Sequence, residues 1–193
     1  HLLLRYNENM FGIVLGGSNN IFSVECEDSI IRQCTIKGKK LEASKGYYNP
    51  LAPGDEVEIE VDEQTDTEGQ IIDLVPRKNE FVRWNVKGRS PQLLAANLDN
   101  IIIVTTPDEP PFRPRFVDRA LAQAEYENIE PIIVCNKCDL PAATDEDFEA
   151  RLSDWEGMGY RVIKVSAKSG EGLQELSEVL EDKLCAFVGQ SGV

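Results

Sequence analysis

Histidine is almost missing from this chain. Its one copy is His1, at the very start, so the side chain best suited to moving protons near neutral pH has no place in the body of the sequence. Long apolar runs are missing too, and none approaches the ~20 residues that a membrane-crossing helix needs. The opening HLLLRYNEN is too short and too poorly flanked to be a secretory leader. The five cysteines, Cys26, Cys34, Cys135, Cys138 and Cys185, are odd in number and scattered. That argues against a disulfide framework and for a reducing cytoplasm. Positive charge is scarce as well: a formal net charge of −14 excludes a protein coated all round for nucleic acid. No methionine stands first, and the expectation is a piece of a longer chain.

What is present is an ordinary globular composition, 41% hydrophobic and 28% charged over 193 residues, enough for one large domain or two small ones. From Phe11 to about Val75 the pattern is of short strands, FGIVLG, NIFSVEC, IIRQCTI, DEVEIEV and GQIIDLV, with GGSNN and NPLAPGD supplying turns. Five short strands and no long helical stretch predict a small closed barrel of the OB-fold type over residues 1–80. Five basic residues, Arg32, Lys37, Lys39, Lys40 and Lys45, stand against only Glu42 on one strand and the loop after it. A nucleic-acid contact and a lysine-protected strand edge explain this segment equally well. PRKNEFVRWNVKGRSPQLLAAN, with Arg77, Lys78, Arg83, Lys87 and Arg89, is the alternative basic surface, and residues 81–97 read as a connector.

Beyond residue 98 the period changes. NIIIVTT and PIIVC are continuous apolar runs, as strands buried on both faces require, followed by RVIKVS and CAFVG. Helical stripes fall between them: Phe116, Val117, Ala120, Leu121 and Ala124; then Phe148, Leu152 and Trp155; then Leu173, Leu176, Leu180 and Leu184. Strands alternating with helices imply a parallel sheet, whose ligands bind beyond the carboxyl ends of the strands.

Three of those ends carry recognisable chemistry. PIIVC runs into Asn136-Lys137-Cys138-Asp139, an N-K-x-D pattern. A carboxylate at Asp139 can accept from both N1–H and the 2-amino group of guanine, a donor pair that adenine lacks. Asn136 is placed for the other purine edge, and the Lys137 stem for the ring face. RVIKV ends in Ser166-Ala167-Lys168-Ser169-Gly170, a small-residue turn whose backbone N–H groups can meet a base carbonyl. On its own that turn is equally a capped strand-to-helix junction. CAFV delivers Gly189-Gln190-Ser191-Gly192-Val193, the first five positions of the phosphate-binding pattern G-x-x-x-x-G-K-[ST]. Cys135-x-x-Cys138 has the spacing of a redox or zinc pair, but no second pair follows, and a buried thiol explains Cys135 better.

The order is unusual, because N-K-x-D and S-A-K precede the phosphate loop. Circular permutation produces that order, and close-lying termini make it physically tolerable. With a five-stranded barrel in front, the chain resembles the ribosome small-subunit-dependent GTPase A family of circularly permuted GTPases. The likeness runs through PRKNEFVR, GRSPQLLAANLDNIIIV, VDRALAQAEYENIEPIIVCNKCDL and VSAKSGEGLQEL. It implies a GTPase assisting late maturation of the small ribosomal subunit, stimulated by that subunit, cytoplasmic and monomeric. It also implies guanine contacts at Asn136, Lys137, Asp139, Ser166, Ala167 and Lys168, and phosphate contacts at Gly189 to Val193. The barrel becomes an RNA-contacting module, with GTP or GDP and Mg²⁺ as cofactors and residues 98–193 as the first part of the GTPase domain. A C-terminal zinc-binding domain is expected outside these residues, as are the loop Lys, the Mg²⁺ ligand and the switch segments. The 193 residues by themselves are therefore expected to hold no catalytic residue and to hydrolyse GTP poorly. The competing reading is an RNA-binding barrel whose nucleotide domain senses guanine nucleotides without turnover.

Overall fold

The computed structural model describes residues 10–38, 41, 46–62 and 64–193. The chain divides into two compact units, residues 1–97 and 98–193. In the first, β1 (Met10–Ser18), β2 (Ile21–Cys26), β3 (Ile31–Ile36), β4 (Glu56–Val61) and β5 (Glu68–Leu74) match the five strands read from the sequence. They close into a barrel in the order β1-β2-β3-β5-β4, with β4 returning to β1. Strands β3 and β5 run parallel, and the other neighbours antiparallel. This is the OB-fold order, and closure leaves no open sheet edge to protect.

Alternation builds the core. Val14, Phe22, Val24, Cys34, Val57, Ile59 and Ile71 point inward and are buried, while their chain neighbours face out. The β1–β2 turn uses Asn19 and Asn20, both in the left-handed region (φ 51° and 63°) that a two-residue hairpin of this twist demands.

Residues 81–97 do more than connect. They complete an antiparallel hairpin of β6 (Glu80–Asn85) and β7 (Ser90–Ala96), inside the first unit. Side-chain amides tie it to the barrel loops. Asn49 donates to the Leu93 carbonyl and accepts from the Leu93 N–H, both at 3.0 Å, and Asn97 donates to the Gly54 carbonyl at 2.8 Å. A buried ion pair supports the same junction: Arg77 grips both oxygens of Asp55 at 2.6 and 2.9 Å and reaches Glu80 at 3.0 Å.

In the second unit β8 (Asn100–Thr105), β9 (Glu130–Cys135), β10 (Arg161–Lys164) and β11 (Cys185–Gly189) form a parallel sheet in the order β10-β9-β8-β11. Between them run α1 (Pro114–Tyr126), α2 (Glu146–Gly157) and α3 (Leu173–Leu180). Val117, Leu121 and Ala124 of α1 and Phe148, Leu152 and Trp155 of α2 are the buried stripes that the spacing predicts. Asp145 caps α2 by accepting from the N–H groups of Asp147 and Phe148. The third stripe is shorter than its leucine spacing suggests. Helix α3 stops at Leu180, and Leu184 lies beyond it, half exposed, with its carbonyl accepting from Asp99 N–H. Leu176, Val179 and Leu180 cover the sheet face formed by Ile102, Ile132, Val134 and Ile163.

Candidate functional site

Strand direction brings the motifs together. The four strands are parallel, so Asn136 after β9, Ser166 after β10 and Gly189 at the end of β11 emerge at the same edge of the sheet. The first two loops are neighbours and are stitched to each other. Cys138 N–H donates to the Val165 carbonyl at 3.0 Å, while Asn136 N–H ties the first loop to the end of β8 through the Thr105 carbonyl at 2.8 Å. Between them Lys137 takes a left-handed conformation, φ 62°.

Side chains lock the pair. Asn136 Oδ1 accepts from Ala167 N–H at 3.0 Å. Ser166 Oγ donates to Asp139 Oδ1 at 2.7 Å and accepts from Ser169 N–H at 3.2 Å. The serine thus caps its turn and orients a carboxylate at once. The Lys168 ammonium lies 3.9 Å from Asp139 Oδ2. The Ser166 hydroxyl, aided by Lys168 and Lys137, holds the Asp139 carboxyl below its usual range, so it stays an acceptor near neutral pH. The Ala167 N–H, expected to be open to a base, is instead donated to Asn136. Asn136 keeps its amide NH₂ for a ligand.

Lys137 reaches the third loop. Its ammonium donates to the Gly192 carbonyl at 2.7 Å and to the Glu109 carbonyl. Glu109 was not legible as part of this site, because it takes part through its backbone; PDEPP announces only a turn. Thr106 Oγ1 shapes that turn by donating to the Pro110 carbonyl at 2.9 Å.

Two glycines are sterically required here. A Cβ on Gly172, at φ 72°, would stand 2.1 Å from the Lys164 carbonyl oxygen, and one on Gly189 would stand 2.7 Å from Val193 Cγ2. Beside Gly189, Gln190 Oε1 is buried with no hydrogen-bond partner. The Asp139 carboxylate, an acceptor oriented by Ser166, suits a purine carrying adjacent N–H groups. Among the described residues no three His, Cys, Asp or Glu side chains converge. Burial pushes the Cys135 thiol up, and Cys138 Sγ donates to the Cys135 carbonyl at 3.2 Å; neither is poised as a thiolate.

The basic candidates on the barrel divide. Arg32 is buried, not surface-facing, because its guanidinium is clamped by both Asp28 oxygens at 2.8 and 2.7 Å. Lys37 is exposed and paired with Glu60. Lys39, Lys40 and Lys45 lie outside the described residues. In the alternative set Arg77 is likewise committed to Asp55, whereas Arg83, Lys87 and Arg89 are exposed on the β6–β7 hairpin beside Trp84, 64% exposed.

A closed five-stranded barrel followed by a parallel sheet with this motif order defines a circularly permuted GTPase fold with an N-terminal OB-type barrel. The family model described as RsgA GTPase matches residues 74–193, and the chain belongs to that family. It is 38% identical over 181 residues to a small ribosomal subunit biogenesis GTPase RsgA of Borreliella burgdorferi, covering 93% of this chain and 58% of that protein. A protein of the same name from Chlorobaculum parvum is 35% identical, with 97% of this chain and 61% of the relative covered. Among solved structures, YjeQ from Thermotoga maritima superposes with TM-score 0.73 at 30% identity, over 95% of this chain and 61% of that one. YloQ, described as a circularly permuted GTPase, gives 0.72 at 26%, over 97% and 62%. The chain thus spans about three fifths of the length of these relatives.

Proposed function

We propose that the protein containing this chain binds guanine nucleotide at the carboxyl edge of its parallel sheet and hydrolyses GTP while assisting maturation of the small ribosomal subunit. The observation that carries this is the three-loop constellation: Asp139 oriented by Ser166, Asn136 braced against Ala167, and Lys137 tied to Gly192. In this reading Asp139 accepts from N1–H and the 2-amino group of guanine, and the Asn136 amide donates to the opposite purine edge. Lys137 holds base loop and phosphate loop in one register while its stem lies along the ring. Residues Gly189 to Val193 begin the cradle for the phosphates. The 193 residues contain no G-K-[ST], so turnover is assigned to the longer protein.

Ribosomal RNA is the proposed partner of the first unit. What supports this is the exposed hairpin, which carries Arg83, Lys87, Arg89 and Trp84, all exposed, in a chain otherwise acidic. Cations for phosphate and an aromatic face for stacking are the usual elements of an RNA contact. Lys37, Lys39, Lys40 and Lys45 are the second set in that proposal.

The test is GTP turnover by the full-length protein with and without purified small subunits. Turnover rising several-fold with subunits is the expected result, and turnover indifferent to them refutes the assignment. Residues 1–193 tested separately should bind GDP yet turn over little GTP.

A further inference from the structure

The barrel leaves an apolar ridge uncovered on its outer surface. The outward positions of β1 are Phe11, Ile13 and Leu15, 38%, 46% and 45% exposed. Singly such residues mean little, but three in a row on one strand make a ridge, and apolar ridges on otherwise polar surfaces mark contact sites. The strand register shows what flanks it. Ile13 lies opposite Glu25 on β2 and opposite Glu56 on β4, and Phe11 lies opposite Glu58 on β4. Among the described residues none of these three carboxylates has a cation partner. Phe11, Ile13, Glu25 and Glu56 also line a shallow cavity of about 290 Å³.

An apolar strip between two acidic rows selects its partner by charge. A phosphate backbone meets repulsion from both sides, whereas ammonium and guanidinium groups meet attraction on both sides of an apolar seat. Lysine and arginine suit this geometry doubly, since their aliphatic stems cover apolar surface while their charged heads reach outward.

We propose that the outer face of β1 docks a basic protein segment, with Lys or Arg heads on Glu25, Glu56 and Glu58 and an aliphatic side chain seated on Ile13. This rests on the small subunit being the partner and names the kind of component, protein and not RNA, that this face meets. It gives the barrel unit two faces of opposite sign, a cationic hairpin for RNA and an acidic strand for protein.

The test places the photocrosslinker benzoylphenylalanine at position 13 of the full-length protein and mixes it with purified small subunits. Cosedimentation is read first, and its absence overturns both the partner reading and this inference. With cosedimentation intact, irradiation is expected to give an adduct that protease destroys and ribonuclease does not. Its yield should fall about tenfold when Glu25→Lys, Glu56→Lys and Glu58→Lys are combined. The corresponding triple Gln variant, which keeps the side-chain shapes, should lower the yield by a smaller factor if the Lys variant fails to fold. Cosedimentation with an adduct to RNA, to a second copy or to the protein's own chain, or with no adduct, overturns the inference. So does a yield indifferent to the triple variants.

Discussion

Five of the six residues of β8 are buried, whereas in the nine-residue β1 only Gly12 and Val14 are. The two strands stand for their units. The central strands of a parallel sheet are buried on both faces, so the motifs of this unit fall in the loops at the strand ends, where they are written in contiguous residues. A barrel presents every second residue of every strand to the outside. Its contact surfaces are assembled from residues far apart in sequence, such as Phe11, Glu25 and Glu58. Charge is also handled differently. The sheet unit leaves Lys168, 3.9 Å from Asp139, almost wholly exposed at the ligand edge, while the barrel unit buries two of its arginines, Arg77 with the buried Asp55 and Arg32 against the exposed Asp28.

This contrast can be broken one unit at a time, because each unit holds one of the two tryptophans, Trp84 and Trp155. Arg77→Met leaves Asp55, fully buried, without its cation, and removing one partner of such a pair costs about 3–5 kcal/mol. Urea unfolding followed by Trp84 in a Trp155→Phe background should show that loss. Leu152→Ala removes a buried side chain beneath α2 at a cost of about 2–5 kcal/mol, read through Trp155. If each substitution lowers only its own unit's midpoint, the units unfold separately; equal shifts at both reporters mean one cooperative body. Ser166→Ala should sharpen the difference at the ligand edge. Deleting the hydroxyl that orients Asp139 costs about 1–2 kcal/mol of GDP binding, roughly 5–30-fold by titration calorimetry, and lowers stability too, because the same buried hydroxyl accepts from Ser169 N–H.

The smallest effect depends on pH. The Arg32 guanidinium holds the Asp28 carboxyl down at about 2, from an ordinary 3.8. A depressed carboxylate stabilises the fold above its unfolded pKa and loses that contribution as pH falls through the folded value. Asp28→Asn should therefore lower the urea midpoint above pH ~4. The difference from the parent protein should shrink as pH is lowered toward 2. A difference that is constant with pH refutes an ionic role for Asp28.

The same contrast explains how much the sequence disclosed. Alternation in DEVEIEV and the turn at Asn19–Asn20 are local, so the five strands and their barrel were legible. N-K-x-D and S-A-K are contiguous, and their meeting followed from the parallel order. Arg32 was misplaced because a basic residue in a basic stretch reads as surface, and nothing local shows that its side chain is buried while pairing with the exposed Asp28, four residues earlier. The β6–β7 hairpin was hidden by the mixed composition of residues 81–97, whose support comes from distant Asn49 and Asp55. Helix α3 was overextended because leucine spacing continues to Leu184 after the backbone has turned at Asp182, φ 54°. The Glu109 carbonyl left no side-chain signal at all.

The central claim is that Asp139 reads a guanine base. Full-length protein carrying Asp139→Asn, titrated calorimetrically with GDP and with xanthosine diphosphate, tests it directly. An asparagine cannot accept from both guanine donors as a carboxylate does, and each buried group left unpaired costs about 1–3 kcal/mol. GDP affinity should fall at least about tenfold while the xanthine nucleotide gains. GDP affinity unchanged by the substitution contradicts the assignment.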